Sequence, residues 1–88
     1  MVNIILSYFH ADNIESTVDG YLCDNEGEAI KELTSVMYEI KPDRILKTAE
    51  SLVDSGKIDE ALQHLDTWID EYNTSGRMFK FSMKEVHL

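Results

Sequence analysis

The sequence predicts an α+β fold of order ββαααβ, a three-stranded antiparallel or mixed sheet with three helices packed on one face. Three observations predict it. Apolar residues alternate at both ends of the chain, as half-buried strands require. Between them, apolar residues recur three and four apart, as amphipathic helices require. Asn25, Pro42, Gly56 and Gly76 punctuate the joins.

The first strand is read from Val2 to Phe9. Val2, Ile4, Leu6 and Tyr8 share one face, and Ile5 and Phe9 lie on the other. Apolar residues on both faces suggest a central strand, or a second face covered by a partner. Core packing is the expectation for Phe9. His10 to Ser16 is expected as a polar connection. A weaker strand follows from Thr17 to Cys23, with Val18 and Leu22 on one face and Asp19, Tyr21 and Cys23 on the other. A hairpin of the two strands is the simplest pairing.

Asn25 and Glu28 have the spacing of a capping box, and the acids near them favour the positive end of a helix dipole. The helix that follows sets Ala29, Ile30, Leu33, Val36, Met37 and Ile40 on one stripe. Pro42 ends it or starts the next. The second helix is expected from about Asp43 to Asp54, with Ile45, Leu46, Ala49, Leu52 and Val53 inward, and Ser55-Gly56 stops it. The third is expected from Ile58 to Tyr72, burying Ile58, Ala61, Leu62, Leu65, Trp68 and Ile69. Asn73 to Gly76 make a turn. Phe79, Phe81 and Met83 then alternate with Lys80, Ser82 and Lys84 as a last strand. The alternation slips at Glu85-Val86, where a bulge or the end of pairing is expected.

Eighty-eight residues make one domain, 1–88. A folded chain of this mass buries about 64% of its extended surface, enough for one core and too little for a large enclosed active site. The single cysteine, Cys23, has no internal disulfide partner, which fits a reducing compartment. The apolar run at the start lacks a basic leader and a cleavage site, so a soluble cytoplasmic protein is expected. The net charge of -9 disfavours direct contact with nucleic acid or anionic membrane. That charge is uneven. Residues 1–40 hold eight acids and one base, Lys31, whereas residues 41–88 hold nine acids and seven bases.

Residues 45–73 resemble one tetratricopeptide repeat. The local signature is Asp54-Ser55-Gly56-Lys57-Ile58-Asp59-Glu60-Ala61-Leu62, a glycine turn followed by a small residue where two helices approach. Ile45, Thr48, Ala49 and Leu52 stand in the places of the family's first-helix pattern, and Ala61 with Leu65 in those of its second. Ile45 replaces the usual Trp, and Trp68 stands where a small residue is usual. The resemblance implies a helical hairpin and, in stacked copies, a peptide groove. This chain carries one copy.

Catalysis finds little in the sequence. Asp24-Asn25-Glu26-Gly27-Glu28 is acidic, but counting back from Gly27 puts Leu22 at the first ligand position of a calcium loop. One Cys and three scattered His do not make a zinc site. Nothing local activates Cys23, and neighbouring acids would raise its pKa. No metal, cofactor or enzymatic activity is expected. The expected function is a small acidic binding or inhibitor protein. In its sharp form it mimics nucleic acid, with carboxylates in place of phosphates, and occupies the basic cleft of a nucleic-acid enzyme. In overall character the chain resembles small acidic anti-defence proteins of phages and mobile elements. The residues expected to meet the basic partner are Asp12, Glu15, Asp19, Tyr21, Glu28, Glu32 and Glu39. Two alternatives stand beside this one. One is an adaptor whose hairpin docks a peptide or helix. The other is a nucleotide sponge, if Arg44, Lys47, Arg77, Lys80 and Lys84 cluster. A homodimer through the apolar second face of the first strand is also expected.

Overall fold

The computed structural model describes residues 2–87. Its elements are β1 (Val2–Ala11), β2 (Ser16–Cys23), α1 (Glu26–Ile40), α2 (Arg44–Asp54), α3 (Ile58–Asn73) and β3 (Met78–His87). The predicted order ββαααβ is the observed one. The sheet order is β2-β1-β3, and β1 pairs antiparallel with both neighbours, so the sheet is wholly antiparallel. The double apolar pattern of β1 follows from this central place. One face lies under the helices, and the other is the outer face of the sheet.

Register sorts the side chains. Leu6 stands between Tyr21 and Met83, and Tyr8 between Asp19 and Phe81, on the helix side. Ile5 stands between Leu22 and Lys84, and Phe9 between Val18 and Lys80, on the outer side. Phe9 is therefore not a core residue as expected. It is half-buried on the outer face, with the Lys80 ammonium 5.5 Å from its ring centroid. Two strand ends also differ from expectation. β1 runs on through His10 and Ala11, because these pair with Thr17 and Ser16 on one side and Phe79 and Met78 on the other. β3 continues without a bulge, pairing Glu85 with Ile4 and Val86 with Asn3. Val86 simply occupies the outer face.

α1 lies across β1 and β2, α3 lies against β3, and α2 packs on both helices away from the sheet. The buried centre joins Leu6 and Phe79 of the sheet to Ile30, Leu33 and Met37 of α1, Leu46 and Ala49 of α2, and Ala61, Leu65, Trp68 and Tyr72 of α3. Trp68 is its hub. Its ring stacks on Tyr72 at 4.9 Å and meets Phe79 edge-on at 5.6 Å, while Nε1 donates to the Lys41 carbonyl at 3.1 Å. The Trp68 ring fills the space between the α2–α3 hairpin and the sheet. Full burial of an aromatic ring of this size contributes several kcal/mol, about 3–5 on truncation.

Local signals set the helix ends. Asn25 Oδ1 accepts from Glu28 N at 2.9 Å, and Glu28 Oε2 accepts from Asp24 N at 3.1 Å. The box therefore closes one residue before the cap. Asp43 is the cap of α2, its Oδ1 accepting from Ile45 N at 3.0 Å. α2 ends in a Schellman motif: Lys57 N donates to Leu52 O at 2.8 Å and Gly56 N to Val53 O at 3.0 Å. Gly56 has φ +78°, which explains glycine there. Among the described residues, no helix is long and apolar enough to cross a membrane.

Candidate functional site

Of the eight acidic residues of the first half, Asp19, Glu28, Glu32 and Glu39 lie along the outer flank of α1 and the neighbouring strand β2. Glu28, Glu32 and Glu39 are four and seven residues apart, so a 3.6-residue period places them on one flank, with Ser35 between. All three are exposed. Beside them lies a groove of about 370 Å³ between α1 and β2, lined by Tyr21 and Cys23 from the strand and Glu28, Lys31 and Glu32 from the helix. Asp19 extends the same side along β2, exposed and two residues from Tyr21.

Lys31, the one base of this half, stands at the same groove, close enough to Glu28 to feel its charge. Its ammonium is ion-paired with Asp54 at the end of α2. The hydrogen bond to Asp54 is the main cause that raises the Lys31 pKa, with the Asp54 charge next. Glu28, Glu32, Glu39 and Asp19 form no salt bridge among the described residues. Charges of one sign along one flank repel, and no ion pair among the described residues relieves these four.

The groups in the groove register this field. Burial pushes the Cys23 thiol up, and Glu32, Glu28 and Asp24 push it further. Cys23 is thus a protonated, buried thiol rather than a nucleophile. Tyr21 is raised by burial first, then by Tyr8 and Asp19, with a smaller push from Glu32. Its ring stacks with Tyr8 at 6.4 Å and leaves the residue half-buried. Tyr21 therefore presents an amphipathic edge to the acidic flank, the character enriched at protein interfaces.

Asp12 and Glu15 lie elsewhere. They occupy the β1–β2 turn, where Asp12 Oδ1 accepts from Ile14 N at 2.7 Å and Glu15 N at 2.8 Å. Those two bonds hold the Asp12 carboxyl below its usual range, with smaller help from His10 and Arg77. The Asp12 charge thus has a local role in closing the turn. Glu15 is exposed and unpaired among the described residues.

Sequence reasoning missed a second cluster beside this turn. His10 Nε2 and the Tyr72 hydroxyl are hydrogen-bonded at 2.6 Å, and the Arg77 guanidinium lies 5.6 Å from the Tyr72 ring centroid. His10, Asp12, Tyr72 and Arg77 line one open cleft of about 320 Å³. The signal was present: His10 is in phase with Leu6 and Tyr8 on the inward face of β1. The five bases weighed for a nucleotide site do not converge. Lys80 lines a hollow on the outer sheet face, Arg77 the cleft at the turn, and Lys47 a hollow between α1 and α2. On α3, Asp59, Glu60, Asp66, Asp70 and Glu71 are all exposed.

No protein-family model matches the chain, and no significant match to it was found among curated proteins or solved structures.

Proposed function

We propose that this chain is a non-enzymatic acidic binding protein that presents the α1–β2 flank to a basic cleft, the cleft of a nucleic-acid enzyme being the best fit. The observation that carries the reading is the exposed row of Glu28, Glu32 and Glu39 beside Asp19, none of them in a salt bridge among the described residues, with Lys31 paired to Asp54. Glu28 and Glu32 are one helical turn apart, about 6 Å along the axis. Alternate phosphates of one nucleic-acid strand repeat every ~7 Å, so the row offers a basic cleft a similar pitch. Tyr21 supplies an aromatic contact beside the charges. The other two function classes have less support. Among the described residues, Lys80, Arg77 and Lys47 line three separate hollows rather than one nucleotide site. The hairpin of α2 and α3 spends its inward faces on the core.

The test is capture of partners from the native cell on the immobilised chain, eluted with a salt gradient. The expected partner is a nucleic-acid-binding enzyme released at moderate salt and displaced by competing nucleic acid. The variant Glu28→Gln/Glu32→Gln/Glu39→Gln should lose it. Undiminished capture by that variant would sink the reading.

A further inference from the structure

The outer face of the sheet inverts the charge of the rest of the molecule. On a chain of net charge -9, the outward positions of all three strands hold no acid and two bases, Lys80 and Lys84. The same face holds most of the exposed large hydrophobic side chains, among them Ile5, Val18 (74% exposed), Leu22 (62% exposed) and Met78.

Register orders these residues into rows that run across the sheet. From β2 through β1 to β3, one row reads Leu22, Ile5, Lys84, and another reads Val18, Phe9, Lys80. Between them lies a low row of Gly20, Ser7 and Ser82, closed by a 2.9 Å hydrogen bond between the two serine hydroxyls. The face is therefore two ridges and a trough, about 300 Å³ of it open beside Phe9, Val18 and Lys80. Each ridge is apolar at its β2 end and basic at its β3 end.

We propose that this face is covered by a second copy of the same chain, sheet on sheet, about a two-fold axis that runs along β1. Such an axis lays β2 of one protomer over β3 of the other. Each ridge then meets its own copy reversed, with Lys80 and Lys84 lying over the partner copy's apolar β2 end. Lysine stems cover apolar surface while their ammonium heads reach past it. What they reach is the open edge of β2, where the heads meet water; Asp19 of that strand lies in register with Tyr8 on the opposite face. A two-fold axis across the strands would instead set lysine over lysine, and the like charges exclude it. The occupant follows from charge. Two copies of so acidic a chain repel over most of their surfaces, and this face is the one where approach meets no acid. Three strands at ~4.8 Å spacing and ~33 Å length present roughly 480 Å², so two copies bury about 1,000 Å² together, the size of a weak, concentration-dependent interface. Because the helices lie on the opposite side of the sheet, the dimer would carry two acidic flanks facing outward. A bivalent partner would then be held more tightly than by either flank alone. The dimer itself does not rest on the proposed function.

The test is sedimentation equilibrium of the full chain over a wide concentration range, with far-UV circular dichroism to check the fold. The wild type should associate to a dimer. Val18→Lys/Leu22→Lys, at exposed positions, should weaken the dimer about 100-fold, as like charges face across the interface. Adding Lys80→Glu/Lys84→Glu to that variant should restore it. A wild type that stays monomeric at every concentration overturns the proposal. So does a dimer that Val18→Lys/Leu22→Lys leaves intact, since another surface then holds it. A folded four-residue variant that stays monomeric overturns the placement of β2 over β3.

Discussion

The thiol of Cys23 sits where the carboxylates of Glu28 and Glu32 converge, and it reports their field without any partner present. Burial and negative charge both favour the protonated form. Alkylation of Cys23 should therefore follow an apparent pKa above the ~8.5 of a free thiol. Glu28→Gln/Glu32→Gln should lower that apparent pKa without returning it to the free value, because burial is the larger cause. A pH–rate profile with a thiol reagent measures both. An unchanged profile would mean that the two carboxylates point away from the groove. A second residue-scale prediction concerns Tyr72, buried and bonded to His10 at 2.6 Å. Tyr72→Phe removes that bond and leaves the imidazole to find water, a loss of about 1 kcal/mol at neutral pH in urea unfolding. Burial raises the Tyr72 pKa; Arg77 opposes it, and Asp12 adds a smaller upward push. The sign follows. The phenol's contribution is complete below its unfolded value near 10.0 and is lost as pH rises through the folded value. The wild type should thus lose more stability than Tyr72→Phe on going to strongly alkaline pH. Of the site, the sequence made legible the flank on α1, since helical spacing alone sets Glu28, Glu32 and Glu39 together. It did not show that Asp12 is used within its turn, nor that Lys31 turns to Asp54, because both depend on contacts at the ends of elements.

At the scale of elements, two turn devices connect sequence to stability. The Asn25 side chain satisfies the Glu28 amide at the start of α1, so Asn25→Ala should cost about 1 kcal/mol, read from the urea midpoint. Gly56 holds φ +78° with nothing near its absent side chain. Gly56→Ala should also cost about 1 kcal/mol, from backbone conformation alone. An equal effect of Gly27→Ala would have another cause. There an added Cβ would meet Val53 Cγ1 at 3.3 Å, where α1 passes the end of α2. These ends were legible because Asn, Asp and Gly act locally. The long elements were legible through their periods, and the order of all six was read correctly from them. What the period could not give was the outer face of the sheet. Phe9, Val18 and Leu22 alternate as well as the inward residues do, and only the placement of the helices decides which side is covered. The strand ends at Ala11 and His87 were missed for a related reason. Pairing with a neighbour, rather than hydrophobicity, carries the strand through His10 and Glu85.

At the scale of the whole molecule, the distribution of charge sets stability against binding. Glu32 and Glu39 make no hydrogen bond or salt bridge among the described residues, and Glu39 lies in the last turn of α1, at the negative end of the helix dipole. Their repulsion from neighbouring acids is therefore relieved by no ion pair among the described residues. Glu28 differs, for it lies in the first turn and accepts the Asp24 amide. Glu32→Gln/Glu39→Gln should accordingly raise the thermal midpoint at low salt, and the gain should shrink as added salt screens the repulsion. Glu28→Gln should lower it. The same Glu32→Gln/Glu39→Gln pair should weaken capture of a basic partner. A residue whose removal stabilises the free chain and weakens the complex is held for the complex, and this combination separates a binding flank from a merely solvated one. Scanning calorimetry at low and high salt, beside the capture experiment, decides it. If the double variant melts lower at low salt, Glu32 and Glu39 support the fold, and the charge on α1 is no longer evidence for a partner.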